Sequence, residues 1–161
     1  MKKKYIVIAH DLGGAEAINK FIQLFKISPL VISSGPADKI LFNYESLSGD
    51  LFEYLEKLKD EKEIFEILIG TGWGDYEINW MKKLSEKFFK FSAILDNWVY
   101  FKNRFLFSKS QEYIWPEIIY VLDDLAYNRA NEKLKGNVPK IINLELDNNY
   151  KNFKTKVNQF N

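Results

Sequence analysis

Four apolar runs, each cut short by glycines or acidic residues, constrain what this chain can fold into. Tyr5-Ile6-Val7-Ile8-Ala9 stops at His10-Asp11-Leu12-Gly13-Gly14, and Ile67-Leu68-Ile69 stops at Gly70-Thr71-Gly72-Trp73-Gly74. Ala93-Ile94-Leu95 stops at Asp96-Asn97-Trp98, and Ile119-Tyr120-Val121-Leu122 at Asp123-Asp124. Runs of strand length without polar alternation suit strands covered on both faces, the condition of a parallel sheet between helix layers. The carboxyl ends of such strands lie along one edge, and ligands bind in the crevice outside it. The pattern that predicts the fold thus also predicts where a site would lie.

The intervening segments alternate with these runs. Ile18, Phe21, Ile22 and Phe25 recur at helical spacing and predict a helix over Ala15 to Lys26. Pro29 opens a short strand, Leu30 to Ile32, ended by Ser33-Ser34-Gly35-Pro36, and Ala37 to Asn43 reads as a short helix. Leu51, Leu55 and Leu58 mark another, starting near Ser48 or Asp50. A third strand covers Ile64 to Ile69, and Ile78, Met81, Leu84 and Phe88 predict a helix over Tyr76 to Phe89 with Asp75 as its cap. Further strands are expected at Phe91 to Leu95 and Ile118 to Leu122. Asp123 or Asp124 then caps a helix to Leu134, Gly136 ends it, and Pro139 leads into a last strand, Lys140 to Leu144.

This alternation predicts an α/β fold, a single Rossmann-like doubly wound three-layer sandwich over residues 1–146. Its parallel sheet has five or six strands joined by right-handed crossovers. Residues 147–161 form a polar tail, read as a peripheral helix with a frayed end. One connection is out of pattern: Asp96 to Glu117 exceeds twenty residues without a clean amphipathic helix. A short helix over Trp98 to Phe105 is the most it offers, and the rest wraps the rim of the sheet.

Composition narrows the partners. A chain of 161 residues suits one domain with a full core. Lys and Arg total 23 against 22 Asp and Glu, so no global field draws it to nucleic acid or to an acidic membrane, and no nucleic-acid partner is expected. With no cysteine, disulfides and thiolate chemistry are excluded, which fits a reducing cytosol. Lys2-Lys3-Lys4 precedes an apolar run of only five residues, which reads as a first strand rather than a signal segment. No stretch nears the roughly 20 apolar residues of a membrane span. A cytoplasmic protein without a membrane span is the expectation.

The strand ends hold the candidate chemistry. After the first strand, Gly13 and Gly14 would admit a phosphate or sugar at a helix N-terminus, or simply serve a tight turn. The stretch matches neither GxGxxG nor a GK[ST] loop, so no nucleotide cofactor is implied. His10, the only histidine, suits proton transfer near neutrality with Asp11 beside it, or a plain hydrogen-bonding role. Thr71, Gly72 and Trp73 follow a buried strand. The glycines there permit close approach or a positive φ, and Trp73 either stacks on a ligand or folds onto the core. Asp96 stands where functional carboxylates stand in such sheets, with Asn97, Trp98 and Arg104 behind it. Arg104 could grip a phosphate or carboxylate with two hydrogen bonds, while the aromatics there could merely anchor the loop. Asp123 and Asp124 suggest a metal pair or a cap, and without a neighbouring His/Glu cluster no metal is expected.

Together, HDLGGAE, GTGWG, LDNWVYFKNRF and PEIIYVLDDLA resemble the N-terminal half of GT-B-type glycosyltransferase-like proteins of bacterial surface-polysaccharide gene clusters. The likeness spans about Lys4 to Leu134. It departs from that pattern at Asn97, where a histidine is usual, and at Glu117, where an aspartate is usual. The resemblance implies a sugar or sugar-nucleotide ligand. It also implies a second α/β domain, which the chain stops short of, to be supplied by another chain or by a homodimer mate. Three expectations follow: a sugar- or acceptor-binding half of a transferase, a small stand-alone enzyme on an activated sugar using His10, Asp11 and Asp96, or a non-catalytic binding module.

Overall fold

The computed structural model describes residues 2–97, 99–136 and 139–146. Chain order runs β1 (Lys4–Ala9), α1 (Leu12–Phe25), β2 (Leu30–Ser33), α2 (Asp38–Leu41), α3 (Leu51–Asp60), β3 (Phe65–Gly70), α4 (Asp75–Glu86) and β4 (Ser92–Ile94). It continues through β5 (Leu106–Phe107), β6 (Glu112–Tyr113), β7 (Ile118–Val121), α5 (Asp124–Lys133) and β8 (Lys140–Asn143). Six strands form one sheet in the order β2-β1-β3-β4-β7-β8, every neighbour parallel. The predicted Rossmann-like three-layer sandwich is therefore what the chain adopts.

The two faces of the sheet account for the unbroken apolar runs. Val7, Ala9, Leu68, Ile94 and Tyr120 pack under Ala15, Ile18, Phe21 and Ile22 of α1. The alternate residues Ile6, Ile8, Ile67, Ile69, Ala93, Ile119 and Val121 pack under Leu55 of α3, Met81 and Leu84 of α4, and Ala126 and Ala130 of α5. Each fully buried Ile or Leu stabilises such a core by roughly 1.5–3 kcal/mol. With α1 on one face and α3 on the other, the chain runs from β1 outward to β2 and then crosses back to β3 on the far side of β1. The boundary between β1 and β3 is thus the topological switch point, where open α/β sheets bind ligands.

Several element ends differ from the sequence expectation. α1 begins at Leu12 rather than Ala15, so Gly13 and Gly14 lie inside its first turn. Asp75 is the first residue of α4, whose N-cap is Gly74, so it does not cap the helix. α4 ends at Glu86, and Phe88 takes a left-handed φ of 59° that throws its ring into solvent, 92% exposed. Phe89 enters the core in its place.

The long connection after β4 contains a 3₁₀ turn at Lys102–Phe105 and the antiparallel pair β5–β6. Two-residue strands are too short to leave a periodic signature. Phe105 and Ile114 bury this hairpin against the core beneath α4, and Lys82 of α4 donates to Glu112 at 2.8 Å. That hydrogen bond raises the pKa of Lys82 and lowers that of Glu112. Trp98 and the predicted tail helix over 147–161 lie outside the described residues. Among the described residues no helix is long and apolar enough to cross a membrane.

Candidate functional site

The β1–α1 turn, the β3–α4 turn and the loop after β4 meet at the carboxyl edge, and a residue absent from the sequence-based candidates ties them together. Glu77 sits in the first turn of α4, 2% exposed. Its Oε1 accepts the backbone N–H of His10 at 2.9 Å and of Asp11 at 3.0 Å, bridging the switch point. Its Oε2 is buried with no partner. The signal was present in the sequence: Glu77 lies four residues before Met81, on the stripe that faces the core, where an acidic residue needs a reason.

Asp11 is the N-cap residue of α1, yet its side chain does not cap the helix. It accepts the backbone N–H of Trp73 instead, at 2.8 Å. A Cβ on Gly72 would collide with the Asp11 carboxyl and come within 3.0 Å of Glu77 Oε2. Gly72 is not among the glycines with positive φ, which are Gly35, Gly49 and Gly136. It is required because two side-chain carboxyl groups press on it, not because of backbone handedness. The glycines of α1 follow the same logic: Asp96 Oδ2 occupies the place of a Gly13 Cβ, and Gly14 abuts the backbone of Gly70 and Thr71.

His10 is held on three sides. Its Nδ1 shares a 2.9 Å hydrogen bond with Ser34 Oγ, and its ring stacks on Tyr76 with centroids 5.1 Å apart. Gly35, at a φ of 59°, lies so close that a Cβ there would sit 2.6 Å from His10 Cε1. Ser34 and Tyr76 carried no sequence signal of their own, since neither position stands out until β2 and α4 are placed beside β1. Among the described residues no hydrogen bond joins His10 to Asp11 or Asp96. The three share an edge, but each is engaged separately.

Arg104 is the other centre. Its side chain is 1% exposed, and Nη1 donates to Asp96 Oδ1 at 2.6 Å, to Thr71 Oγ1 at 3.0 Å and to Thr71 O at 3.3 Å. Thr71 Oγ1 in turn donates to the carbonyl of Ile94 at 3.0 Å, locking the ends of β3 and β4 together. Arg104 Nε and Nη2 are buried without partners. The indole of Trp73 lies over the guanidinium, 5.3 Å from its carbon to the ring centroid. Trp73, 65% exposed, meets the edge of Tyr100 at 5.1 Å, and Tyr100 is itself 61% exposed. Trp73 therefore projects outward rather than folding onto the core.

No family model, curated protein or solved structure matches this chain.

The remaining candidates have local roles. Asn97 Oδ1 accepts the N–H of Val99 at 3.0 Å, closing a turn. Asp123 caps α5 by accepting from Ala126 N–H at 2.7 Å, and Asp124 accepts from Asn143 Nδ2 at 2.7 Å, so both carboxyl groups of that pair serve α5 and β8. Among the described residues no three His, Asp or Glu side chains cluster as a metal site would require. Beside the rim, a groove of about 530 Å³ runs between the loop Val99–Asn103 and α5, with Lys102, Arg129 and Lys133 in its walls.

Proposed function

We propose that this chain is a sugar- or acceptor-binding domain of a glycosyltransferase-like system for surface carbohydrate synthesis. In this reading it holds a sugar or sugar-nucleotide ligand at the carboxyl edge, and a second α/β domain, on another chain or a second copy, completes the cleft. The observation that carries it is the switch point itself. Polar groups from three turns converge there around His10, Asp11, Glu77 and Thr71, while Trp73 and Tyr100 stand exposed above them. Polar groups that fix orientation, beside aromatic faces that supply contact area, are the usual makings of a small-molecule site. The resemblance of the four motif-bearing strand ends to GT-B-type proteins supports a sugar as the ligand.

In this reading Asp96 and Asp11 organise the site, the one by balancing Arg104 and the other by holding the Trp73 loop. A proton-transfer role rests on His10 alone, whose ring is oriented by Ser34 rather than by a carboxylate. The test is a thermal-shift and calorimetric screen of the chain against sugar nucleotides, free sugars and nucleotides. A ligand at 100 times its Kd adds about 2.7 kcal/mol of stability, which raises the Tm of a domain this size by roughly 5–11 °C. Failure of every sugar and sugar nucleotide to shift the transition at millimolar concentration would sink the reading.

A further inference from the structure

The buried guanidinium of Arg104 is only half used. Every hydrogen bond it makes comes from Nη1, which faces Asp96 and Thr71. The opposite edge, formed by Nε–H and Nη2–H, presents two parallel donors with no hydrogen-bond partner among the described residues, and both atoms are buried. A charged donor buried without a partner costs upward of about 1–3 kcal/mol, so chains rarely leave one unless something else fills it. Among the described residues the Trp73 ring lies over the face of the cation, and a cation–π contact returns about 0.5–2 kcal/mol.

Trp73 stands between Gly72 and Gly74, and a Cβ on Gly74 would meet no atom within 4 Å. Its backbone N–H is tied to Asp11, its ring touches the edge of Tyr100, and most of the indole is already in solvent. Moving the indole off the guanidinium face therefore costs little buried area.

We infer that Arg104 is the anion-recognising residue of this edge, with Trp73 as its lid. The Nε–Nη2 edge takes a two-oxygen anionic group of the ligand, a phosphate or a carboxylate, which guanidinium geometry matches with two parallel hydrogen bonds. This deepens the carbohydrate reading and rests on it for the rest of the ligand: the anion is the phosphate of an activated sugar or the carboxylate of an acidic one.

Calorimetric titration of the full chain with inorganic phosphate, acetate, glucose 1-phosphate, glucuronate and glucose tests this, using the parent, Arg104→Lys and Trp73→Ala. The parent is expected to bind phosphate or acetate, and the preferred one of the two tells the sources apart. Arg104→Lys keeps the charge but loses the paired donors and should weaken that anion at least tenfold. Trp73→Ala changes an exposed side chain, so it keeps the measurement available even if Arg104→Lys does not fold. Phosphate has no face to stack on, so removing the lid should strengthen its binding, roughly tenfold if the lid is open one-tenth of the time. No binding of either anion by the parent and Trp73→Ala overturns the site. Unchanged affinity in a folded Arg104→Lys does the same, and unchanged affinity in Trp73→Ala overturns the lid. Anion binding that depends on Arg104, with no tighter binding of any sugar-bearing ligand, would keep the site and refute the carbohydrate reading. Sugar binding indifferent to Arg104→Lys would do the reverse.

Discussion

Replacing Glu77 by alanine should loosen the whole carboxyl edge, and the structure sets the size of the effect. Glu77 Oε1 is the acceptor for two backbone donors, His10 N–H and Asp11 N–H, in a part-buried turn. Alanine leaves both without that partner, at about 1–2 kcal/mol each. Water entering the space vacated recovers some of this, so a net loss of about 2 kcal/mol is expected. For a domain of this length that lowers the Tm by roughly 4–8 °C. Glu77→Gln is the discriminating control. Its amide oxygen can accept both N–H groups, while its NH₂ takes the place of the unpartnered Oε2 and the buried charge is removed. Glutamine should therefore retain most of the parental stability. Urea unfolding followed by tryptophan fluorescence, with the slope m checked for constancy, measures both. A Glu77→Ala midpoint equal to the parent's, or a glutamine variant as unstable as the alanine one, would refute the bridging role. If glutamine restores stability but ligand affinity stays reduced, the free Oε2 belongs to the ligand rather than to the fold.

Gly14→Ala should destabilise by about 1–2 kcal/mol, because its Cβ would stand 3.1 Å from Thr71 O and 3.2 Å from Thr71 N, and the backbone there yields little. Gly74→Ala, with open space around it, should be near neutral in the same denaturation assay. In alkali, burial first and then the neighbouring Glu66 raise the pKa of Tyr120 above the ordinary phenol value of about 10. A raised folded-state pKa means that stability is complete below that value and is lost as pH rises above it. Unfolding free energy should thus fall beyond about pH 10, and Tyr120→Phe should flatten that fall; an equally steep fall in the variant would contradict the assignment.

The sheet was legible because burial on both faces leaves a one-dimensional mark. Runs such as Tyr5–Ala9 and Ile67–Ile69 cannot alternate, and the residue that ends each run falls on the carboxyl edge whatever the neighbouring strands are. The starts of α3 and α5 were legible to within two residues for the same local reason, and the structure settles the caps on Asp50 and Asp123, each of which accepts from an N–H three residues on. The end of α4 was not, because a left-handed residue at Phe88 breaks the period without any glycine to announce it. Nor were the roles inside the site. That Gly72 yields to Asp11 and Glu77, that Gly13 makes room for Asp96, and that His10 pairs with Ser34 rather than with an aspartate all depend on which strands lie side by side. Strand order brings Arg104 under Trp73 across 31 residues of chain, a separation no periodicity encodes. Sequence by itself determined the layers, the edge and the residues available there. Tertiary structure alone decided their partners, because hydrogen bonds and buried charges are settled by distance in space, which local patterning does not carry.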